Sequence, residues 1–494
     1  KKEIKNIFNR IVRDIKEDFN LKLSEDWLDI LINDAPSYFN RALDRWRTMY
    51  KSANKLLAES GEALNNPVYT DFSPERREAW GKQKHAIRQR DLLANKSSRQ
   101  SISEFYPYRY LASEGFLPGY NFTRLPLRTY IPAGNNGEYI SRSRFTALKE
   151  FGPQNRIYHS GAKYEVNQLV INEGEENLIK VKVSNNSGYL LIGSDFNNEV
   201  CPFSKTKLDE GKSKVFVNLI EMTETRTLEK DRISCEEEER VSQGYNIETY
   251  FSVPAGMETV VNLSVRDDQE ELLKLQYIPT ARLYHINKGW KTKKEEGFLM
   301  GLKSGRWKSA YKENNKKEVS DNPEENKQIM LYTYTDTNAL YITPLPALNL
   351  DSDAVITMEY AILRAIENKF QVESSEIGAI NIGDDKEPKI FLYESSEGSL
   401  GILSQLIEDS AAFQEVIEEV IKICRYDNQE YKEEASYDDL LSYYNQRYHN
   451  QINRFKIKPA LYRLKESNVE RIKDFMAQRE FIDSRADASE NKDA

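Results

Sequence analysis

The stretch EFYPYRYLASEGFLPGYNF at 104–122 places seven Phe or Tyr residues in nineteen positions, with Pro107, Pro118, Gly115 and Gly119 breaking any regular period. Arg109 lies inside it, and Arg124, Arg128, Arg142 and Arg144 follow at short intervals. Guanidinium groups take phosphate oxygens bidentately, and aromatic rings stack on bases. A satellite hydrophobic cluster needs the rings but not this many guanidinium groups, which are costly to bury unpaired. Glu104, Glu114 and Glu138 can neutralise some of them. The set reads as a nucleic-acid surface whose rings can pack inward while its arginines face out. Tyr120 and Phe122 are the stacking candidates, because Gly119 beside them lets a base or backbone approach closely.

Charge is distributed to match. The whole chain carries −9, which excludes a uniformly basic coat but not a basic stripe. Residues 71–100 hold eight Lys/Arg against four Asp/Glu, and residues 101–165 hold eight against five, with 13 aromatics among them. The surplus acid lies elsewhere, notably at 236–239 and in the C-terminal third.

Other chemical signals have plainer readings. No GxxxxGK[ST] loop is present, and GLKSGRWKS (301–309) has the wrong spacing to wrap a phosphate, so it reads as a β-turn. EGSLG (397–401) stands between a strand and a helix, where backbone N–H groups can hold an anion, but a simple tight turn is the favoured reading. His285 and Lys288 are spaced H-x-x-K, not the H-x-K of a phospholipase-D-type nuclease. IGDDKEPKIFLYE (382–394) reads as a solvated loop entering a strand, and the four histidines make no triad or metal spacing. Ser234 with Glu237 forms a capping box, which accounts for the glutamate run at 236–239. The residues assign no catalytic group and no metal ligand.

The elements that must position these residues follow from periodicity. Ile4, Ile7, Phe8, Ile11 and Ile15 form a helical stripe; Ser24 caps a second helix, and Pro36 opens a third that carries Phe39, Leu43, Trp46 and Tyr50. Another helix begins at Pro74. Residues 101–155 look irregular, ordered by rings. From 156 the pattern is short strands rich in β-branched and aromatic residues: RIYHSGAKYEV, LIKVKV, YLLIG, VFVNLI, IETYFSV, TVVNLSV, LLKLQYI, ARLYHI and QIMLYTY. Helices return at 353–371, 401–424 and 436–464, with a strand at 389–395. The expected fold is α+β, with an N-terminal helical region (1–100), an aromatic and basic segment (101–155) and a β-rich centre (156–350). A small α/β module (351–464) and a charged tail (465–494) complete it.

No apolar run approaches the ~18 residues of a membrane span, and no signal peptide is evident. Three cysteines far apart (Cys201, Cys235, Cys424) build no disulfide framework, so a reducing, cytoplasmic setting is expected. The chain opens without Met directly in a helical pattern, as a piece of a longer protein would.

FYPYRYLASEGFLPGYNFTRLPLRTYIP (105–132), with SRSRFTALKEFGPQNRIYHSGAKYEV (141–166), resembles a segment of large bacterial DEAD/DEAH-box superfamily 2 helicases of defence islands. FNRALDRWRTMY (39–50) resembles the helical segment before it, and NLIEMTETRTLEKDRISCEEEERVSQGYNIETYF (218–251) the link after that family's zinc ribbon. YAILRAIENKF (360–370), IFLYESSEGSLGIL (390–403) and ASYDDLLSYYNQRYHNQINR (435–454) resemble its C-terminal module, related to the MZB domain. The resemblance implies a DNA-engaging, post-motor region that acts with helicase motor domains or a helicase or nuclease partner subunit in antiphage defence. ATP and Mg²⁺ would belong to those motor domains, with no cofactor in this chain. A non-catalytic scaffold that docks onto a separate helicase or nuclease is the alternative. The family's zinc sites are degenerate here: Ser436 and Asp439 stand at cysteine positions of the C-terminal motif, and the ribbon's CPxCG pair is reduced to CPFSK at Cys201. Zinc needs about four N, S or O ligands in tetrahedral array, so packing must hold both loops.

Overall fold

Small side chains set the spacing of the first helices. Ala53 on α2 (Asp44–Asn65) and Ala86 on α3 (Pro74–Leu93) are wholly buried, and these two helices pack on each other. α1 (Trp27–Ala42) precedes them, and α4 (Pro107–Ser113) follows. Tyr110 of α4 pins the α1–α2 junction, its hydroxyl donating to the Ala42 carbonyl (2.9 Å) and accepting from the Trp46 amide (2.9 Å). Pro36 lies inside α1 rather than opening a helix; it is exposed, so the hydrogen bond it gives up is lost at the surface.

The computed structural model describes residues 27–65, 73–94, 107–113, 116, 126–132, 137–171, 178–232, 244–254, 256–302, 304–308, 326–383, 387–395, 401–408 and 411–472. The expected helix over 4–15, the Ser234 capping box and the charged tail beyond 472 fall outside them. The chain divides into two units, 1–125 and 126–494, and the fold class is α+β, with two curled half-barrel sheets. The aromatic segment expected at 101–155 therefore spans the boundary between the units. Its second part is regular: β1 (Leu127–Ile131), β2 (Glu138–Arg142) and α5 (Arg144–Glu150) replace the irregular chain expected there.

β3 (Arg156–His159), β4 (Ala162–Leu169) and β8 (Thr225–Arg232) join β1 and β2 in a five-stranded sheet of order β2-β1-β8-β4-β3. The larger sheet is organised on β11 (Glu271–Trp290) and β13 (Asn326–Pro344), paired antiparallel from Leu273↔Pro344 to Asn287↔Leu331. LLKLQYI and ARLYHI thus belong to one strand. Pro279, which lacks a ladder N–H, falls where the register shifts between Ile278 and Ala281. The bulge divides the neighbours. Before it β11 pairs with β10 (Val261–Arg266), and beyond it with β9 (Tyr245–Ser252). β13 likewise pairs with β15 (Lys389–Glu394) at one end and with β7 (Ser213–Glu221) and β12 (Phe298–Gly301) toward the other. β5 (Ile179–Ser184), β6 (Leu190–Ile192), β14 (Ile377–Ile382) and β16 (Asn468–Arg471) complete the described strands.

Three helices cover one end of this sheet. α6 (Ser352–Phe370) is capped by Asp351, whose carboxylate accepts from the Ala354 amide (2.7 Å), and ends at Gln371 in the left-handed region. With α8 (Ala412–Ile423) and α9 (Arg454–Lys465) it buries Ile362, Ile366, Val416, Ile417 and Leu461 against Leu263, Leu275 and Ile342. A short α7 (Ile402–Glu408) precedes α8 where a single helix over 401–424 is expected. The helix expected at 436–464 begins only at Arg454. Asn445 departs from helical geometry, its side chain bonded to the Leu440 carbonyl and the Ser442 amide.

Glu359 lies on the buried face of α6, and burial pushes its carboxyl from an ordinary 4.5 up to about 8. Unfolded chain releases this proton near pH 4.5, while folded chain holds it to about 8. Its contribution to stability is therefore full below pH 4.5 and is lost as pH rises to about 8, at up to ~1.4 kcal/mol per pH unit. Glu359→Gln should flatten that slope and raise the urea midpoint at pH 8 relative to the parent; parallel pH curves for the two proteins would refute the assignment.

Candidate functional site

Within the second unit, the arginines that the sequence groups together have different surroundings. Arg109 is on α4, and its side chain lies outside the description; Tyr120, Phe122 and Arg124 lie outside the described residues altogether. On β1, Leu127, Thr129 and Ile131 are buried, which turns Arg128 and Tyr130 to the opposite face. Arg142 pairs in register with Leu127, is exposed, and donates from Nε to Glu150 (2.6 Å). Arg144 is only 5% exposed. Its Nη1 donates to the Tyr334 carbonyl (3.4 Å) and lies 3.7 Å from Glu221, with the guanidinium over the Tyr334 ring. Arg144 supports the core, and that burial keeps it from any surface shared with Arg128.

A different set gathers around Arg128 and Tyr130. Register places Tyr139 opposite Tyr130 on β2 and Arg226 of β8 opposite it on the other side. The two tyrosine rings meet edge to face at 5.3 Å, and the Tyr139 hydroxyl donates to Glu224 (2.9 Å). Gly137, at φ +29°, lies close against the Tyr130 ring: a Cβ there would stand 1.9 Å from the phenolic oxygen and force that side chain to move. Gln168 of β4 flanks Arg226 on the next strand and is bridged in turn to Arg306. Gly305, at φ +66°, brings Arg306 to this edge. Its carbonyl accepts from the Leu169 amide (2.8 Å), and a Cβ would strike the Leu169 carbonyl at 2.0 Å. The GLKSGRWKS turn therefore presents an arginine to the sheet. Burial lowers the Arg226 pKa, Glu224 opposes that shift, and the positive charge of Arg306 adds to it. Sequence reasoning missed Arg226 and Arg306. The alternation of TRTLEKDR marks a strand, but it does not say which strand lies beside it.

Other candidate groups are engaged within the chain. The N-terminus of α7 is held by the chain's own Glu394, which accepts from the Gly401 (3.1 Å) and Leu403 (2.9 Å) amides, so the anion at EGSLG is internal. His285 is fully buried against Thr249, its pKa pushed down to about 3 by burial and then by Lys149. Lys288 pairs with Glu248 and Glu296.

The two loops that resemble zinc sites are held by side chains. The Cys201 thiol is buried, 3.4 Å from Ser187 Oγ, and accepts from the Ser204 amide (3.5 Å); Phe203 between them packs on Phe251 and Tyr341. In the C-terminal loop, Asp439 accepts from the Ser436 amide (2.6 Å) and from the Tyr431 hydroxyl. The guanidinium of Arg454, 1% exposed, donates to the carbonyls of Glu433 (2.8 Å), Cys424 and Tyr431, tying the strands of the loop together. Among the described residues no group of three or more His, Cys, Asp or Glu is arranged to hold a metal ion. No described helix is long and apolar enough to cross a membrane.

No protein-family model matches this sequence, and no curated protein does. Among solved structures it is similar to a crystal structure of the DUF1998 helicase MrfA bound to DNA, at 10% identity and a TM-score of 0.34, over 74% of this chain. This chain spans 36% of that one.

Replacing Arg454 leaves the buried Cys424 carbonyl without this donor, at ~1–3 kcal/mol, and removes its bonds to the part-buried Glu433 and Tyr431 carbonyls as well. Arg454→Ala should lower unfolding free energy by about 3 kcal/mol or more in urea titration. Arg454→Lys should recover little, since an ammonium lacks the planar fork. A change below ~0.5 kcal/mol, the range of ordinary surface substitutions, would mean the loop is held some other way.

Proposed function

We propose that this chain is the DNA-engaging accessory region of an ATP-dependent DNA helicase or translocase that serves antiphage defence, its partner being single-stranded or partly opened DNA. ATP and Mg²⁺ are handled by motor domains outside these residues, and the chain itself carries no cofactor. One observation carries the reading. Within the block that resembles the helicase family, Arg128 and Tyr130 turn away from the core beside Tyr139, the mixture of guanidinium and ring that a single strand needs. Arg109, Arg124, Tyr120 and Phe122 extend the proposed DNA contacts along the sequence; Arg142 is a peripheral contact, and Arg144 acts from within the core.

A second reading, a non-catalytic scaffold docked onto a separate helicase or nuclease, is favoured by a separate observation. Tyr443 and Tyr444 are 76% and 82% exposed, beside exposed Arg447. Tyrosine and arginine are the residue types that anchor protein interfaces.

Titrating oligo(dT) at several salt concentrations separates the two readings. Arg128→Ala, with folding verified by circular dichroism, should lower the salt slope by about 0.7. Tyr139→Ala should cost ~1–3 kcal/mol of binding. A parent chain without affinity for oligo(dT) at low salt contradicts the first reading and leaves the docking one.

A further inference from the structure

A cavity of about 120 Å³ lies at the end of β11, walled by Trp290, Phe298 and Trp307. That is close to the ~150 Å³ that takes one benzene ring, and well under the ~300–1,000 Å³ of drug-sized sites. Ring contacts hold the walls in place. Tyr245 stacks on Trp290 at 4.7 Å, and Phe298 meets Trp290 and Trp307 edge-on, with centroids 5.8 and 6.0 Å apart. Trp307 belongs to a segment paired with β4, its amide donating to the Asn167 carbonyl (3.0 Å), and it alternates with the exposed Arg306. The indole Nε1 of Trp307 is buried and, among the described residues, has no hydrogen-bond acceptor. A buried Trp N–H usually finds one, and leaving it unmade costs ~1–3 kcal/mol. The turn beside the cavity is basic. KTKK (291–294) follows Trp290, and Lys293 lines the cavity. Glu296 pairs with Lys288, which leaves Glu295, also a lining residue, as the turn's other carboxylate beside three lysines. Burial, and then the charge of Lys291, lower the pKa of Lys149 on α5, so the positive field reaches that helix as well. Ring walls alone would suit a cationic guest, but this field opposes one. It favours a flat ring joined to an anion.

We propose that this cavity takes a single nucleobase, its ring against Trp290 and Trp307 and its phosphate at Lys293. The inference rests on the DNA reading where the base belongs to a strand; a free nucleotide presents the same ring and phosphate. A base carbonyl oxygen in the cavity gives the Trp307 N–H its acceptor, and stacking on the rings contributes ~1–3 kcal/mol. A base turned out of a single strand reaches such a cavity at less cost than one drawn from a duplex. Neither Trp307 nor Lys293 belongs to the stretch whose composition suggested DNA.

The experiment titrates the full chain with oligo(dT), with an abasic strand of the same length and with dTMP, following tryptophan emission and the anisotropy of labelled strand. Trp290 and Trp307 are the tryptophans of the second unit; Trp27, Trp46 and Trp80 lie in the first. The proteins are the parent, Trp307→Phe, Lys293→Ala and the control Lys422→Ala on α8. Trp307→Phe keeps a ring and loses the N–H, and Lys293→Ala removes an exposed side chain, so it reports even where Trp307→Phe disturbs folding. The proposal expects oligo(dT) and dTMP to quench emission and the abasic strand not to. Trp307→Phe should weaken oligo(dT) binding roughly threefold or more, and Lys293→Ala should lower the salt slope by about 0.7, with the control unchanged. Oligo(dT) binding that stays parent-like in Lys293→Ala and in folded Trp307→Phe, or equal quenching by the abasic strand, overturns the cavity site and leaves the DNA reading intact. Binding of dTMP that the variants weaken, in a chain that ignores oligo(dT), upholds the site with a free nucleotide as its source and overturns the DNA reading. A parent that binds none of the three probes overturns both.

Discussion

The antiparallel pairing of β11 with β13 is the constraint on which the second unit depends. Each strand is far longer than the ~5–6 residues usual in globular sheets, so a single ribbon passes under several separate neighbours. At one end Leu275 and Ile342 carry the helical layer of α6, α8 and α9. At the other, Trp290, Ile329 and Leu331 pack with Leu127, Leu148 and Leu169 beneath the five-stranded sheet. That inward packing decides which way β1 alternates, and so puts Arg128 and Tyr130 outside. The candidate site is a consequence of what the ribbon buries.

Polar side chains do in the loops what packing does in the sheets. Arg454 spans three carbonyls with a rigid fork, and Asp439 gathers an amide and a phenol on one carboxylate. Both are buried, where every unmatched group is costly, so the loop has little conformational choice. Tyr443 and Tyr444, just beyond Asp439, are exposed at the start of a short 3₁₀ turn, Tyr443–Tyr448. Around Cys201 the same result comes from aromatic packing, since Phe203 lies edge-on to Phe251 and Tyr341.

Much of the framework was legible in the sequence because local patterns carried it. Pro74 opens α3, the apolar period of 353–371 becomes α6, and the β-branched runs after 156 become strands. Failures came where distant chain overrode local preference. Pro279 looked like a break between two strands, but a bulge absorbs it inside β11. Residues 436–453 have helical composition, yet only a short 3₁₀ turn forms there, Tyr443–Tyr448, with Asn445 off helical geometry and bonded back to Leu440. LRTYI between prolines looked irregular because five residues offer little period; pairing with β2 and β8 makes it a strand. For the site, Arg128 was visible as one basic residue among rings. Arg226 and Arg306 were not, because their proximity exists only through the parallel β1–β8 register and the Gly305 turn. Arg144 misled for the converse reason: composition cannot reveal that a guanidinium will be drawn into the core by Tyr334 and Glu221.

The central claim is that nucleic acid meets the outward face of the five-stranded sheet. Photocrosslinking with a bromodeoxyuridine-substituted single strand, followed by peptide mapping, tests it most directly. The account predicts adducts on the peptides carrying Tyr130 and Tyr139, suppressed by excess unlabelled oligo(dT). Adducts confined to peptides elsewhere, with those two tyrosines unmodified, would contradict it.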